Sequence, residues 1–199
     1  MRAMIDPEHI VRFSEVYRRL RFERSEVFGG LPFSITWLKL RYLRRNTIRT
    51  LASVTFGESN TLAIHPYIFE WSNPILFEGV IHHEMLHLVL GPKVAHSKIF
   101  KQIEKDWEHF NDYRRQRQKF IHNLEENARQ AGKLLRYECP NCLTSILRTR
   151  PMKPESACWK CMKRENNGIW SESYIFIKVG LDEKTRGSTI ESRDQDAHS

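Results

Sequence analysis

One stretch restricts the fold of this chain more than any other: SNPILFEGVIHHEMLHLVLGP, residues 72 to 92. Ser72 or Asn73 can cap a helix, Pro74 suits its first turn, and Gly91-Pro92 must stop it, so the sequence predicts a helix over about 74–90. The segment is apolar almost all round and therefore belongs at the centre of a fold, not on its surface. It nevertheless carries His82, His83, Glu84 and His87. Burying such groups costs several kcal/mol unless they are paired with one another or bound to a metal ion.

The spacing favours a metal. His83 and His87 are four positions apart, so their imidazoles lie on one helical face and can reach a single ion, with Glu84 beside them. This is the H-E-x-x-H pattern of zinc peptidases, in which the glutamate acts as general base. His82 is turned by about 100 degrees from His83 around the helix axis and is expected to be a neighbour, not a ligand. A catalytic zinc needs a third protein ligand and an open fourth position. His96 is the favoured candidate, brought back by the return that follows Gly91-Pro92, and Glu104 competes with it. The two are about 12 Å apart along a helix, too far to bind one ion together. Without a ligand role, Glu104 and Glu108 read as salt-bridging surface residues. His9, His109, His122 and His198 read as surface histidines, and His65 as a strand residue.

All four cysteines lie in CPNCLTSILRTRPMKPESACWKC, as two CxxC pairs, Cys139/Cys142 and Cys158/Cys161, with fifteen residues between them. Each pair makes a tight knuckle presenting two sulfurs, and four thiolates complete a closed, structural tetrahedral zinc site. No cysteine is left to staple the rest of the chain, which fits a reducing compartment better than a disulfide framework.

The formal net charge of +8 matters mainly through its layout. Residues 31–56 hold five basic side chains (Lys39, Arg41, Arg44, Arg45, Arg49) and no acidic one, and residues 137–164 hold six basic against two acidic. Residues 165–199 reverse the balance, with four basic against seven acidic. A basic body favours a polyanionic partner such as nucleic acid. Arg41, Arg44, Arg45, Arg148, Arg150 and Lys160 are the candidate contacts. Trp159 offers an aromatic face to an exposed base.

Elsewhere, residues 7–24 place Ile10, Phe13, Val16, Tyr17 and Leu20 at helical spacing. SITWLKLRYLRRN is ambiguous between helix and strand. RTLASVTF and TLAIHPYIF, separated by GESN, predict a hairpin. Pro66 cannot donate to a ladder, which places the second of those strands at or near a sheet edge, where residues 61–67 could receive a substrate as an added strand. AHSKIFKQIEKDW predicts a helix turning Ile99, Phe100, Ile103 and Trp107 to the core, and a charged helix follows over about 112–131. SYIFIKV reads as a strand. No apolar run approaches the roughly 20 residues of a membrane helix, and acidic residues interrupt the first residues before any signal-like apolar stretch develops. The expectation is a cytoplasmic protein with no membrane partner, nucleoid-associated if bacterial.

HEMLH, the later HSKIF and the four-cysteine ribbon together resemble the SprT-like metalloproteases over roughly residues 35–165. The resemblance implies an α+β, zincin-like core, with a small antiparallel sheet packed on helices, followed by a zinc ribbon. On it, His83, His87 and His96 would hold a catalytic zinc, Glu84 would be the general base, and Cys139, Cys142, Cys158 and Cys161 would hold a structural zinc. It also implies DNA and DNA-bound or DNA-crosslinked proteins as partners and substrates. Ser97 stands where SprT-like proteins often have Gly. HSKIF followed by NDYRRQRQKF is also similar to the YgjP-type metal-dependent hydrolases of small substrates, which generally have a shorter gap before the third histidine and lack the ribbon. The expected organisation is a helical segment over 1–34, the metallopeptidase core over 35–132, the ribbon over 133–180 and a disordered acidic tail over 181–199. An inactive nucleic-acid-binding adaptor is the alternative outside enzymology.

Overall fold

The structure, a computed structural model, describes residues 5–44 and 47–180. Arg45, His198 and the acidic stretch 181–199 lie outside the described residues. The chain divides into two compact units between Gly132 and Lys133. Both are mixed α and β, with a small sheet in each.

In the first unit, Asp6 accepts a hydrogen bond from the Glu8 backbone N–H and starts α1 (Pro7–Glu23), with Pro7 at its first position. Phe13, Tyr17 and Leu20 are buried, whereas Ile10 is 38% exposed, so the stripe turned to the core is narrower than the sequence suggested. α2 (Ser25–Phe28) inserts Phe28. Three strands follow: β1 (Leu38–Tyr42), β2 (Ala52–Thr55) and β3 (Asn60–Ile64). The helices are α3 (Tyr67–Glu70), α4 (Pro74–Leu90), α5 (Lys98–Lys105) and α6 (Phe110–Gln130).

β2 and β3 form the expected hairpin, Val54 opposite Leu62. The sheet is nevertheless not purely antiparallel. β1, the segment of ambiguous sequence, pairs parallel with the other side of β3, Leu40 opposite Leu62, and the order is β1-β3-β2. β3 is therefore central, and residues 61–67 offer no free edge. Pro66 does not prevent this, because the ladder's last donor is His65, whose N–H bonds to the Leu51 carbonyl at 2.7 Å, and Pro66 already stands at the cap of α3. The free edge on the hairpin side belongs to β2.

α4 runs through the middle of this unit, as an all-round apolar helix must. Asn73 caps it by accepting from the Ile75 N–H at 2.9 Å, and Gly91 ends it at φ 73, a conformation that favours glycine. Its buried residues point in every direction and include Leu76, Phe77, Ile81, His82, Glu84 and Leu86. Gly79 lets α6 approach, since the Tyr113 ring occupies the space a Cβ would need. Glu78 is buried too, and meets Arg19 of α1 at 2.5 Å. Burial raises its pKa, and the Arg19 charge opposes that rise.

The second unit sets β4 (Leu135–Glu138) between β5 (Ser145–Arg148) and β6 (Ile177–Val179), all antiparallel, with α7 (Trp159–Glu165) alongside. Its core is Cys139, Cys158, Cys161 and Tyr174, lined by Cys142, Ala157, Met162 and Phe176. The unit is small and the cysteines lie at the centre of this core, so a metal bound by them would add to its stability. No helix among the described residues is long and apolar enough to cross a membrane.

Candidate metal centres

α4 carries two of the three imidazoles of the first centre. The Nε2 atoms of His83 and His87 are 3.2 Å apart, as their i, i+4 spacing predicts. The third comes from the return after Gly91. In the turn closed by Ser97 N–H to the Val94 carbonyl, His96 adopts φ 58, a region that most side chains avoid. This brings its Nε2 to 3.4 Å from that of His83. Ser97 then caps α5 by accepting from the Phe100 N–H, which gives a physical reason for Ser at this position.

These distances test whether a metal fits. With Zn–N bonds of 2.0–2.1 Å and tetrahedral angles, two ligand nitrogens should lie about 3.3–3.4 Å apart. The observed 3.2 and 3.4 Å match, and all three nitrogens lie within 4.8 Å of one another. The cluster is a candidate zinc site, with His96 exposed at its open side.

Glu104 does not join the three nitrogens. Its Oε1 lies 2.6 Å from His83 Nδ1, the ring nitrogen facing away from the cluster. In this arrangement it pairs with the outer side of His83 and is largely shielded, its side chain 15% exposed. Phe100, fully buried, packs its ring 5.1, 4.7 and 5.2 Å from those of His83, His87 and His96. Sequence reasoning turned Phe100 towards the core but missed both connections. Their signal is the four-residue spacing that puts Phe100 and Glu104 on one face of α5.

Glu84 is buried, on the side of α4 towards β2. Burial pushes its pKa up to about 7, against the opposing effects of the His83 charge and the Val54 backbone N–H. The His65–Leu51 hydrogen bond fixes the alternation along β2, so Val54 directs its N–H outward, away from β3. Glu84 Oε2 has no hydrogen-bond partner among the described residues. Burial, with the charges of His83 and His96, brings His87 down to about 4 and so keeps it neutral, the form that binds a metal.

His82 stays out of the cluster. Its ring stacks on Trp107 at 4.7 Å and meets Phe28 edge-on, and burial lowers its pKa to about 3. His65 is buried against Tyr67 and Phe120. His9 is no simple surface residue, because it stacks on Phe69 at 4.0 Å and meets the Tyr42 hydroxyl at 2.6 Å.

The second centre is the cysteine cluster. Cys139 and Cys161 sulfurs are 3.7 Å apart, as are those of Cys142 and Cys158. That is far beyond a disulfide bond of about 2.05 Å and matches the roughly 3.8 Å expected between thiolates bound tetrahedrally at Zn–S 2.3 Å. The Thr144 hydroxyl, 3.1 Å from Cys142 Sγ, and the Thr144 backbone N–H pull that thiol's pKa down to about 6, whereas burial raises Cys158 and Cys161.

Among the candidate nucleic-acid contacts, Arg44, Arg148, Arg150 and Lys160 are exposed and Arg41 is half-buried on β1. In the second unit, Trp159 is 61% and Trp170 47% exposed. No family model matches the chain, and no curated protein matches it. Fold and sites together define a mixed α+β protein with two candidate metal clusters, one of three histidines and one of four cysteines.

Proposed function

We propose that the chain is a zinc-dependent metallopeptidase of SprT-like type that cleaves proteins bound or crosslinked to DNA. The observation that carries this reading is the three-imidazole cluster, with the buried Glu84 beside His83 on α4 and close enough to feel its charge. A zinc ion held by His83, His87 and His96 supplies a Lewis acid and lowers the pKa of water towards neutrality.

Glu84 does the proton work. Next to His83 along α4, it would take a proton from the attacking water and return it to the leaving amine. Its unpartnered Oε2 is the atom to which that proton would go. The outer edge of β2, which pairs with no strand among the described residues, suits an extended peptide lying along it, the Val54 N–H itself being engaged by Glu84. The four cysteines, closed to substrate, would hold a structural zinc.

The basic side chains and the two exposed tryptophans of the second unit support a DNA-binding role, charge meeting phosphates and indoles meeting unstacked bases. The test uses the full zinc-loaded chain with a protein crosslinked to single-stranded or duplex DNA. Cleavage by the parent and none by Glu84→Gln is the expected result. No cleavage by either, with zinc bound, would remove the peptidase reading.

A further inference from the structure

α5 contributes more to the histidine cluster than the ligand at its head. From Ser97, which caps the helix, the next turn brings Phe100 and the one after brings Glu104 to the same face. Phe100 packs its ring against all three imidazoles, while Glu104 meets His83 on its outer nitrogen at 2.6 Å. Glu104 is itself largely shielded, its side chain being 15% exposed.

Neutral imidazole has one N–H, and its position decides which nitrogen is free to bind a metal. A carboxylate at Nδ1 holds the proton there. Nε2 is then left with its lone pair directed at the Nε2 atoms of His87 and His96. Among the described residues, Glu104 is the carboxylate that meets the three rings within hydrogen-bond distance.

We infer that Glu104 is a positioning residue, fixing the tautomer and orientation of His83 so that the three-imidazole cluster is formed before the ion arrives. This rests on the zinc site within the proposed function and not on the reaction. An outer partner of this kind typically contributes 10–100-fold to metal affinity. The carboxylate offers His83 both a hydrogen-bond acceptor and a negative charge, and substitutions can separate the two.

The experiment titrates a chelator against the zinc-loaded full chain and follows zinc release in two steps, one for each centre. The cysteine centre, in the other compact unit, serves as the internal control. Glu104→Gln keeps an acceptor but loses the charge and should shift the histidine step by about tenfold; Glu104→Leu loses both and should shift it by about a hundredfold. The cysteine step should not move, and Glu104→Asp should recover part of the loss. Should Glu104→Leu fail to fold, the Gln and Asp variants carry the test. Unchanged release from the histidine centre in Glu104→Gln and Glu104→Leu overturns the inference while leaving the zinc site standing. A parent chain with no histidine-bound zinc removes the site and the inference together.

Discussion

The Nε2 atoms of His83 and His96 stand 3.4 Å apart, although 13 positions separate the residues and a helix end lies between them. The approach depends on a left-handed backbone at His96, where a non-glycine side chain costs on the order of 1 kcal/mol. His96→Gly should therefore leave the zinc-free chain as stable or up to about 1 kcal/mol more stable. The same variant should lose the histidine-bound zinc. Denaturant unfolding with and without zinc measures both effects, and a marked loss of stability in the zinc-free variant would show that His96 is there for packing.

Glu84 makes the zinc-free fold less stable as pH rises. Its folded pKa of about 7 lies above the ordinary 4.5, so the zinc-free fold holds the proton more tightly than the unfolded chain. The stability it contributes is full below about 4.5 and is lost as pH rises through 7. Glu84→Gln should remove that slope and be more stable than the parent at pH 8, by at most about 3 kcal/mol. Unfolding midpoints of zinc-free protein at pH 5.5 and 8 check this; equal slopes in the two proteins would contradict it.

His82 has the opposite sign. Trp107 and Phe28 enclose it and Arg24 lies 3.4 Å from its Nε2, so its pKa falls from 6.5 to about 3. It leaves stability intact above 6.5 and withdraws it as pH falls towards 3. His82→Phe, which keeps an aromatic ring against Trp107, should flatten the acid limb of the stability curve without releasing zinc at neutral pH. Zinc loss in this variant would mean that His82 belongs to the metal centre after all.

Gly79 separates a local preference from a tertiary one. In an exposed helix Gly→Ala gains about 1 kcal/mol. Here the added methyl would stand 2.2 Å from Tyr113 Cδ2. Gly79→Ala should instead destabilise by roughly 1–3 kcal/mol, the usual cost of overpacking. A stabilised variant would show that α6 does not press on α4 as described.

What could be read from the sequence was local. The start and stop of α4, the helix α1 and the β2–β3 hairpin follow from caps, turn residues and periodicity within a few positions. The nature of β1 did not, because LKLRY becomes a strand only by pairing with β3, about twenty residues further on. That pairing also took β3 off the edge, against the signal from Pro66. Within the first centre, the spacing of His83 and His87 was legible for the same local reason. The contact of Glu104 with His83 and the facing of Val54 towards Glu84 depend on how α5 and β2 pack on α4, which no spacing along the chain records.

The most direct test counts zinc in the full chain by elemental analysis, beside a variant carrying His83→Ala and His87→Ala. The expected result is two ions per parent chain and one in the variant, the remaining ion held by the cysteines. A single ion in both proteins would contradict the three-histidine centre.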